Sequence, residues 1–92
     1  MAEGMKAPRL NVERVQTGVR LEKRLLKVLK AVAEVQDMTL GDLIEGVVLH
    51  AFEGKCAFGQ DTLDKIASLR EIYGLDLTAK HSHQLQDGEG HD

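Results

Sequence analysis

One short stretch near the N-terminus constrains the fold more than any other part of the chain. From Arg14 to Leu21, apolar or β-branched residues alternate with polar ones, as side chains do on the two faces of a β-strand. One face carries Val15, Thr17, Val19 and Leu21. The other carries Arg14, Gln16, Gly18 and Arg20. A single short strand leaves its backbone donors and acceptors unpaired, and no second strand of similar quality occurs in the sequence. The pattern therefore predicts a strand that pairs with the same strand of a second copy.

The amino-acid composition also favours a second copy. The chain has 92 residues, two Phe, one Tyr and no Trp. A core made mainly of Leu, Val and Ala in so short a chain is marginal, and oligomerisation is a common remedy. We expect a single small domain that forms a homodimer.

Three absences in the sequence bear on the cellular location. The single Cys56 excludes an internal disulfide framework and fits a reducing compartment. No apolar run reaches the length of a membrane span, and residues 1–12 lack the apolar core of a signal peptide. We expect a soluble, cytoplasmic protein with no membrane partner.

Charge is distributed unevenly along the chain. Residues 1–36 contain eight Lys or Arg and four Asp or Glu, which gives +4, whereas residues 37–92 contain four and eleven, which gives −7. These values sum to the net charge of −3. Such asymmetry is typical of proteins that turn one end toward a polyanion, although ordinary scatter of surface charge produces it too.

After the alternating stretch the apolar spacing changes to that of helices. A first helix is predicted over residues 22–36, with Glu22 in its first turn. Thr39 is a good N-cap for a second helix that extends to about Phe52. A third helix is predicted over residues 61–73, with Gly74 as its end and with Leu75 and Leu77 folding back onto the body. The predicted regions are a flexible arm (1–13), a dimerisation domain (14–54), a connector with the third helix (55–77) and a disordered tail (78–92).

The order of strand, helix, turn and helix over residues 14–52 resembles the ribbon-helix-helix family of DNA-binding proteins, the MetJ/Arc type. The resemblance implies a mainly α fold in which one N-terminal strand pairs antiparallel with its copy in an intertwined homodimer. The third helix is an addition to that pattern. The second helix is apolar nearly all round, which predicts that it too is buried against its symmetry mate. The resulting dimer-interface residues are Val15, Thr17, Val19, Leu21, Ile44, Val47 and Val48.

The same resemblance implies that the outward strand face reads DNA bases. A two-stranded ribbon fits the major groove, where Arg pairs with guanine and Gln with adenine. The residues that match the base-reading positions are Gln16, Gly18 and Arg20, with Arg14 one step further out. Gly18 departs from the pattern because it offers no side chain to a base and weakens a strand.

A second DNA contact is expected at the beginning of the second helix. The free amides of Leu40 and Gly41, with the Thr39 hydroxyl, can hold a phosphate at the positive end of the helix dipole. Thr39 can equally be a helix cap and nothing more, and Asp42 would repel a phosphate if it pointed outward. Lys23 and Arg24 are further candidates for phosphate contact.

The resemblance implies that residues 14–54 form the dimerisation and DNA-binding domain of a homodimeric, sequence-specific transcriptional regulator that binds double-stranded DNA, either a repressor or an antitoxin-type autoregulator. The acidic C-terminal part, residues 55–92, suits a basic protein partner. The alternative is a dimeric protein-interaction module of the same fold that no longer reads DNA, which Gly18, Asp42 and the acidic balance favour. We expect no enzyme, because the chain lacks a plausible catalytic set of side chains. The histidines of the tail are interpreted as part of a flexible segment, so no metal and no cofactor are expected.

Overall fold

The computed structural model describes residues 9–88. Within this range three α-helices follow one another, α1 (Lys23–Val35), α2 (Leu40–Phe52) and α3 (Gln60–Tyr73), and a 3-10 turn (Ala79–His81) comes after them. The helix boundaries agree with those expected from the sequence to within one residue. This part of the prediction is confirmed.

The helix boundaries have local chemical causes. At the N-cap of α1, the Glu22 carboxylate accepts a hydrogen bond from the amide of Leu25. The Thr39 hydroxyl does the same for the amide of Asp42 at the beginning of α2. At the C-terminus of α3, Gly74 adopts a left-handed conformation with φ 67°, which glycine tolerates without a steric penalty. Each of these signals lies within four residues of the terminus it defines.

The core is small and is organised around α1. Its buried members are Val28, Val32, Ala33, Leu43 and Leu75. Helix α1 packs against both α2 and α3, and these two outer helices do not pack against each other. Leu75 is buried and Leu77 packs against the same cluster, so the expected return of this segment onto the body is confirmed. The chain therefore has one central helix, two outer helices and a C-terminal segment that covers one side.

The predicted N-terminal strand is wrong, and with it the ribbon-helix-helix fold class. Within residues 9–88 there is no β-strand, and the stretch from Arg14 to Leu21 has no regular secondary structure. Alternation of side chains is compatible with a strand but does not create the ladder of hydrogen bonds that defines one. Within residues 9–88, the backbone of this stretch makes no hydrogen bond with the backbone of another segment. Residues 9–21, called the N-terminal segment below, are exposed throughout and precede a three-helix body.

The ends of the chain differ from the expectation in one respect. Where the sequence predicts a disordered tail, the Thr78 amide donates a hydrogen bond to Nδ1 of His81 and a 3-10 turn forms. Residues 1–8 of the predicted arm and 89–92 of the predicted tail lie outside the described residues. Over the described range, none of the helices has the length and apolar character that crossing a membrane requires.

Candidate functional site

The four residues expected to read bases lie together on the exposed N-terminal segment. Gln16 makes no side-chain hydrogen bond within residues 9–88, and Arg20 is one of the most open side chains, with 81% of it accessible. A Cβ built at Gly18 would meet no atom within 4 Å. Neither space nor packing within the described chain therefore requires glycine at this position.

Arg14 connects the N-terminal segment to the beginning of α2. Its Nε donates to Oε2 of Glu45 at 2.9 Å, and its second terminal nitrogen donates to Oε1 of the same carboxylate at 2.7 Å. The latter nitrogen also lies 3.3 Å from Oδ1 of Asp42. Arg14, which was expected to read a base, therefore lies beside the beginning of α2, where a phosphate was expected to bind. Its guanidinium is paired there with the carboxylates of Asp42 and Glu45.

The ion pair perturbs both of its principal partners. The hydrogen bond from Arg14, together with its positive charge, lowers the pKa of Glu45 against the opposing effect of burial. The hydrogen bond to Glu45 and the nearby negative charge raise the pKa of Arg14 in turn. Both groups are therefore fully charged at neutral pH, and a competing anion meets a guanidinium that is already neutralised locally.

The N-terminus of α2 is a less open anion site than the sequence suggests. The Thr39 hydroxyl caps the helix by accepting a hydrogen bond from the Asp42 amide at 3.1 Å. The Asp42 carboxylate lies in the first turn. Leu40 and Gly41 precede the first helical hydrogen bonds, so their amides have no acceptor within the helix. A phosphate at these two amides would lie close to the Asp42 charge, which reduces its affinity.

The remaining basic candidates differ in how far they are engaged. Arg20 pairs with Asp87 at 3.0 Å, which joins the N-terminal segment to the C-terminal end of the described chain. Lys23 is exposed and has no ion pair among residues 9–88. Of the expected phosphate-binding cations, Lys23 is therefore the one that is not neutralised by a neighbour within this range.

Arg24 is occupied by contacts with the protein itself. Its guanidinium contacts the carboxylate of Glu22 at 3.1 Å, that of Asp76 at 3.2 Å, and the carbonyl of Gly74 at 2.7 Å. Burial raises the pKa of Glu22, but the Leu25 amide and the Arg24 charge outweigh it and lower the pKa overall. The interactions of Arg24 thus connect the beginning of α1 with the end of α3.

One side of α2 is apolar and uncovered. We call this surface the α2 face; its apolar members are Ile44, Val48, Leu49 and Phe52. Leu49 is 64% exposed and Phe52 is 81% exposed. Val47, the other expected interface residue of this helix, points the opposite way and packs against the core.

The expected interface residues of the N-terminal segment are also open to solvent. Val15 is 77% exposed, Val19 74% and Leu21 41%, and Thr17 lies among them on the exposed segment. None of the three apolar residues belongs to the core or packs against it. The apolar side chains that were expected to meet a second copy are thus available in the described chain, apart from Val47.

Some members of this site could not be found from the sequence. Glu45, Asp76 and Asp87 neutralise the basic candidates across separations of 31, 52 and 67 residues, and no local pattern marks such pairs. The sequence indicates the exposure of Leu49 and Phe52 only weakly. A helix that is apolar nearly all round has more apolar surface than one neighbour can cover, but the pattern does not show which residues stay exposed.

Comparison with protein-family models, with curated proteins and with solved structures found no match for this chain. Among the described residues no group of three or more His, Cys, Asp or Glu side chains is arranged to hold a metal ion.

Proposed function

We propose that the chain is a homodimeric DNA-binding regulator whose N-terminal segment contacts the DNA. The observation that carries the proposal is that Arg14, Gln16 and Arg20 lie on one segment whose residues are all exposed. Arg and Gln are the side chains best suited to paired hydrogen bonds with guanine and adenine edges. Exposed ion pairs such as those of Arg14 and Arg20 contribute little free energy, so a polyanion can displace the carboxylates.

The α2 face supports the dimeric part of the proposal. Five buried apolar side chains are a small core for a chain of this length, and a second copy that covers Leu49 and Phe52 would enlarge it. Gly41 lies on the same face, seven residues before Val48. Glycine costs about 1 kcal/mol relative to Ala inside a helix. A Cβ at Gly41 would meet only the Thr39 hydroxyl, at 3.9 Å, so packing within the protomer does not explain the glycine.

The charges of α2 favour a second copy of this chain as the occupant of the face. Asp42 and Glu45 lie in the first half of the helix, and Lys55 follows its end. A two-fold axis that crosses two α2 helices in antiparallel orientation places Lys55 of each copy toward the acidic half of the other. The same arrangement brings Ile44 of each copy toward Phe52 of the other.

Two measurements test the DNA-binding part. A duplex is first selected by the full chain from a pool with a randomised centre, and its affinity is then measured by fluorescence polarisation at several salt concentrations. We expect saturable binding that weakens steeply with salt. Replacing Gln16→Ala together with Arg20→Ala should weaken it and change the sequences selected. The matched control Lys65→Ala removes an exposed charge from α3 and should leave both unchanged.

Sedimentation analysis tests the dimeric part. The wild-type chain should sediment as a dimer at micromolar concentration, and Phe52→Glu should shift it to a monomer because it places a charge on the α2 face. Ile72→Glu is the control, since Ile72 is 71% exposed on α3, away from that face. A wild-type chain that remains monomeric in the same range would contradict the proposal.

A second candidate function is a dimeric protein-interaction module without DNA readout. The engagement of Arg14 by both Asp42 and Glu45 favours it, because a base-reading guanidinium would have to leave two carboxylates. Under this alternative the Gln16→Ala and Arg20→Ala changes alter neither the affinity for DNA nor the selected sequence, whereas Phe52→Glu still dissociates the dimer.

A further inference from the structure

A groove of about 350 Å³ lies between the beginning of α1, the end of α3 and the segment that follows α3. Most of its wall is apolar and is formed by four leucines, Leu25, Leu75, Leu77 and Leu85. Its volume falls in the range of roughly 300 to 1,000 Å³ that small-molecule sites occupy. The N-terminal residues expected to contact DNA do not line it, so the groove is a separate feature of the molecule.

Among the polar residues of the groove, Arg70 and His81 supply hydrogen-bond donors, beside Thr78, Ser82 and His83. The Arg70 guanidinium lines it, donates one hydrogen bond to the carbonyl of Leu77 at 2.9 Å, and has no ion pair within residues 9–88. Nδ1 of His81 accepts a hydrogen bond from the Thr78 amide at 2.9 Å, so the neutral ring carries its proton on Nε2 and donates from there. No Asp or Glu among residues 9–88 lines the groove.

We infer that this groove binds a small apolar monocarboxylate. The leucines would cover the hydrocarbon part, which is favourable in proportion to the apolar area removed from water. Arg70 retains N–H groups beyond the one used by Leu77, and a guanidinium pairs with a carboxylate through a planar fork of donors. Because no Asp or Glu of residues 9–88 lines the groove, no carboxylate of that range opposes an anion at its wall. The apolar character of the rest of the wall excludes a large polar ligand.

Calorimetric titration of the full chain tests the inference, with octanoate as the probe and octanamide as a neutral molecule of the same length. We expect saturable binding of octanoate and binding of octanamide that is at least about tenfold weaker, as the loss of a hydrogen bond to a charged group predicts. Equal affinities for the two probes, or no saturable binding of octanoate, would overturn the proposal.

Two variants locate the binding. Arg70→Gln should weaken octanoate by about tenfold and leave octanamide unchanged, while the control Lys65→Gln, which removes a charge from α3 outside the groove, should affect neither. Arg70 also donates a hydrogen bond to the Leu77 carbonyl, so its replacement removes a contact of the groove wall as well. The second variant therefore leaves Arg70 unchanged. Ser82→Trp fills the groove from its exposed wall and should abolish binding of both probes. Octanoate binding that survives Ser82→Trp would place the ligand elsewhere and refute the inference.

Discussion

Arg14 and Glu45 form a two-pronged ion pair, with hydrogen bonds of 2.9 and 2.7 Å between the guanidinium and the two carboxylate oxygens. The pair joins the exposed N-terminal segment to α2, and both side chains remain about half exposed or more, at 63% and 48%. It is the most complete contact between that segment and the helical body. The same guanidinium is one of the proposed contacts to DNA, so the protein's own carboxylate and a nucleic acid compete for it.

Replacing Glu45→Gln should increase the affinity for the selected duplex by a few-fold. The change removes the negative charge that neutralises Arg14 and leaves the length of the side chain unaltered. Fluorescence polarisation at fixed salt measures the effect. Glu53→Gln is the matched control, because Glu53 lies just beyond the same helix and pairs with Lys55 instead. An equal increase in both variants would show that the overall charge, and not the pair, governs binding.

Stability should depend on pH through Glu22. Its pKa in the folded chain lies below the ordinary value of 4.5. A lowered pKa means that the charged form stabilises the fold fully above the unfolded value, and that this contribution is lost as the pH falls through the folded value. Urea unfolding should therefore show wild type more stable than Glu22→Gln at pH 7, with the difference closing in acid.

The control for this titration is Glu71→Gln on α3. Glu71 is exposed and has no ion pair within the described range. The Glu71→Gln variant should have the same free energy of unfolding as wild type, both at neutral pH and in acid. A difference between wild type and Glu22→Gln that grows as the pH falls would have the wrong sign.

Two leucines of α2 should respond differently to truncation. Leu43 is 4% exposed, so Leu43→Ala should leave a cavity and cost about 2 to 5 kcal/mol of unfolding free energy at every protein concentration. Leu49 is 64% exposed, so Leu49→Ala should matter only at concentrations where the proposed dimer forms. Denaturant titrations over a range of concentrations separate the two effects. Equal and concentration-independent losses would argue against the α2 face as an interface.

The cap of α2 provides a local prediction. Thr39→Ala should lower the unfolding free energy by about 1 kcal/mol, because the amide of Asp42 loses its acceptor. Thr39→Ser keeps the hydroxyl and should restore most of the loss. Chemical denaturation followed by circular dichroism measures both. If the alanine variant were as stable as wild type, the hydroxyl would not be acting as a cap.

The three helices could be predicted because their signals are local. Thr39 caps the helix that it immediately precedes, and Gly74 ends the helix that it immediately follows. A helix satisfies its backbone within its own segment, so spacing and caps suffice to locate it. The strand failed for the opposite reason: alternation around Val15 and Val19 describes side chains, but a strand exists only if another segment supplies the hydrogen bonds.

The candidate site was predictable only in part. Arg14, Gln16 and Arg20 are exposed, but the alternation does not account for this, because the apolar residues between them are exposed as well. The ion pairs of the two arginines could not be predicted, because Glu45 and Asp87 lie far away in sequence and meet these arginines only through the packing of the chain.

The contacts of Arg24 connect α1 with the segment that follows α3. The guanidinium donates to the carbonyl of Gly74, the residue that follows α3, and pairs with the Asp76 carboxylate two residues later. A nucleic-acid phosphate that recruits this guanidinium must take it from both, and the segment after α3 then loses its polar contacts with Arg24, although Leu75 still packs against α1. Occupancy of the leucine-lined groove by a ligand and binding of a polyanion beside α1 would thus be antagonistic, and thermodynamic reciprocity requires that each weaken the other by the same factor.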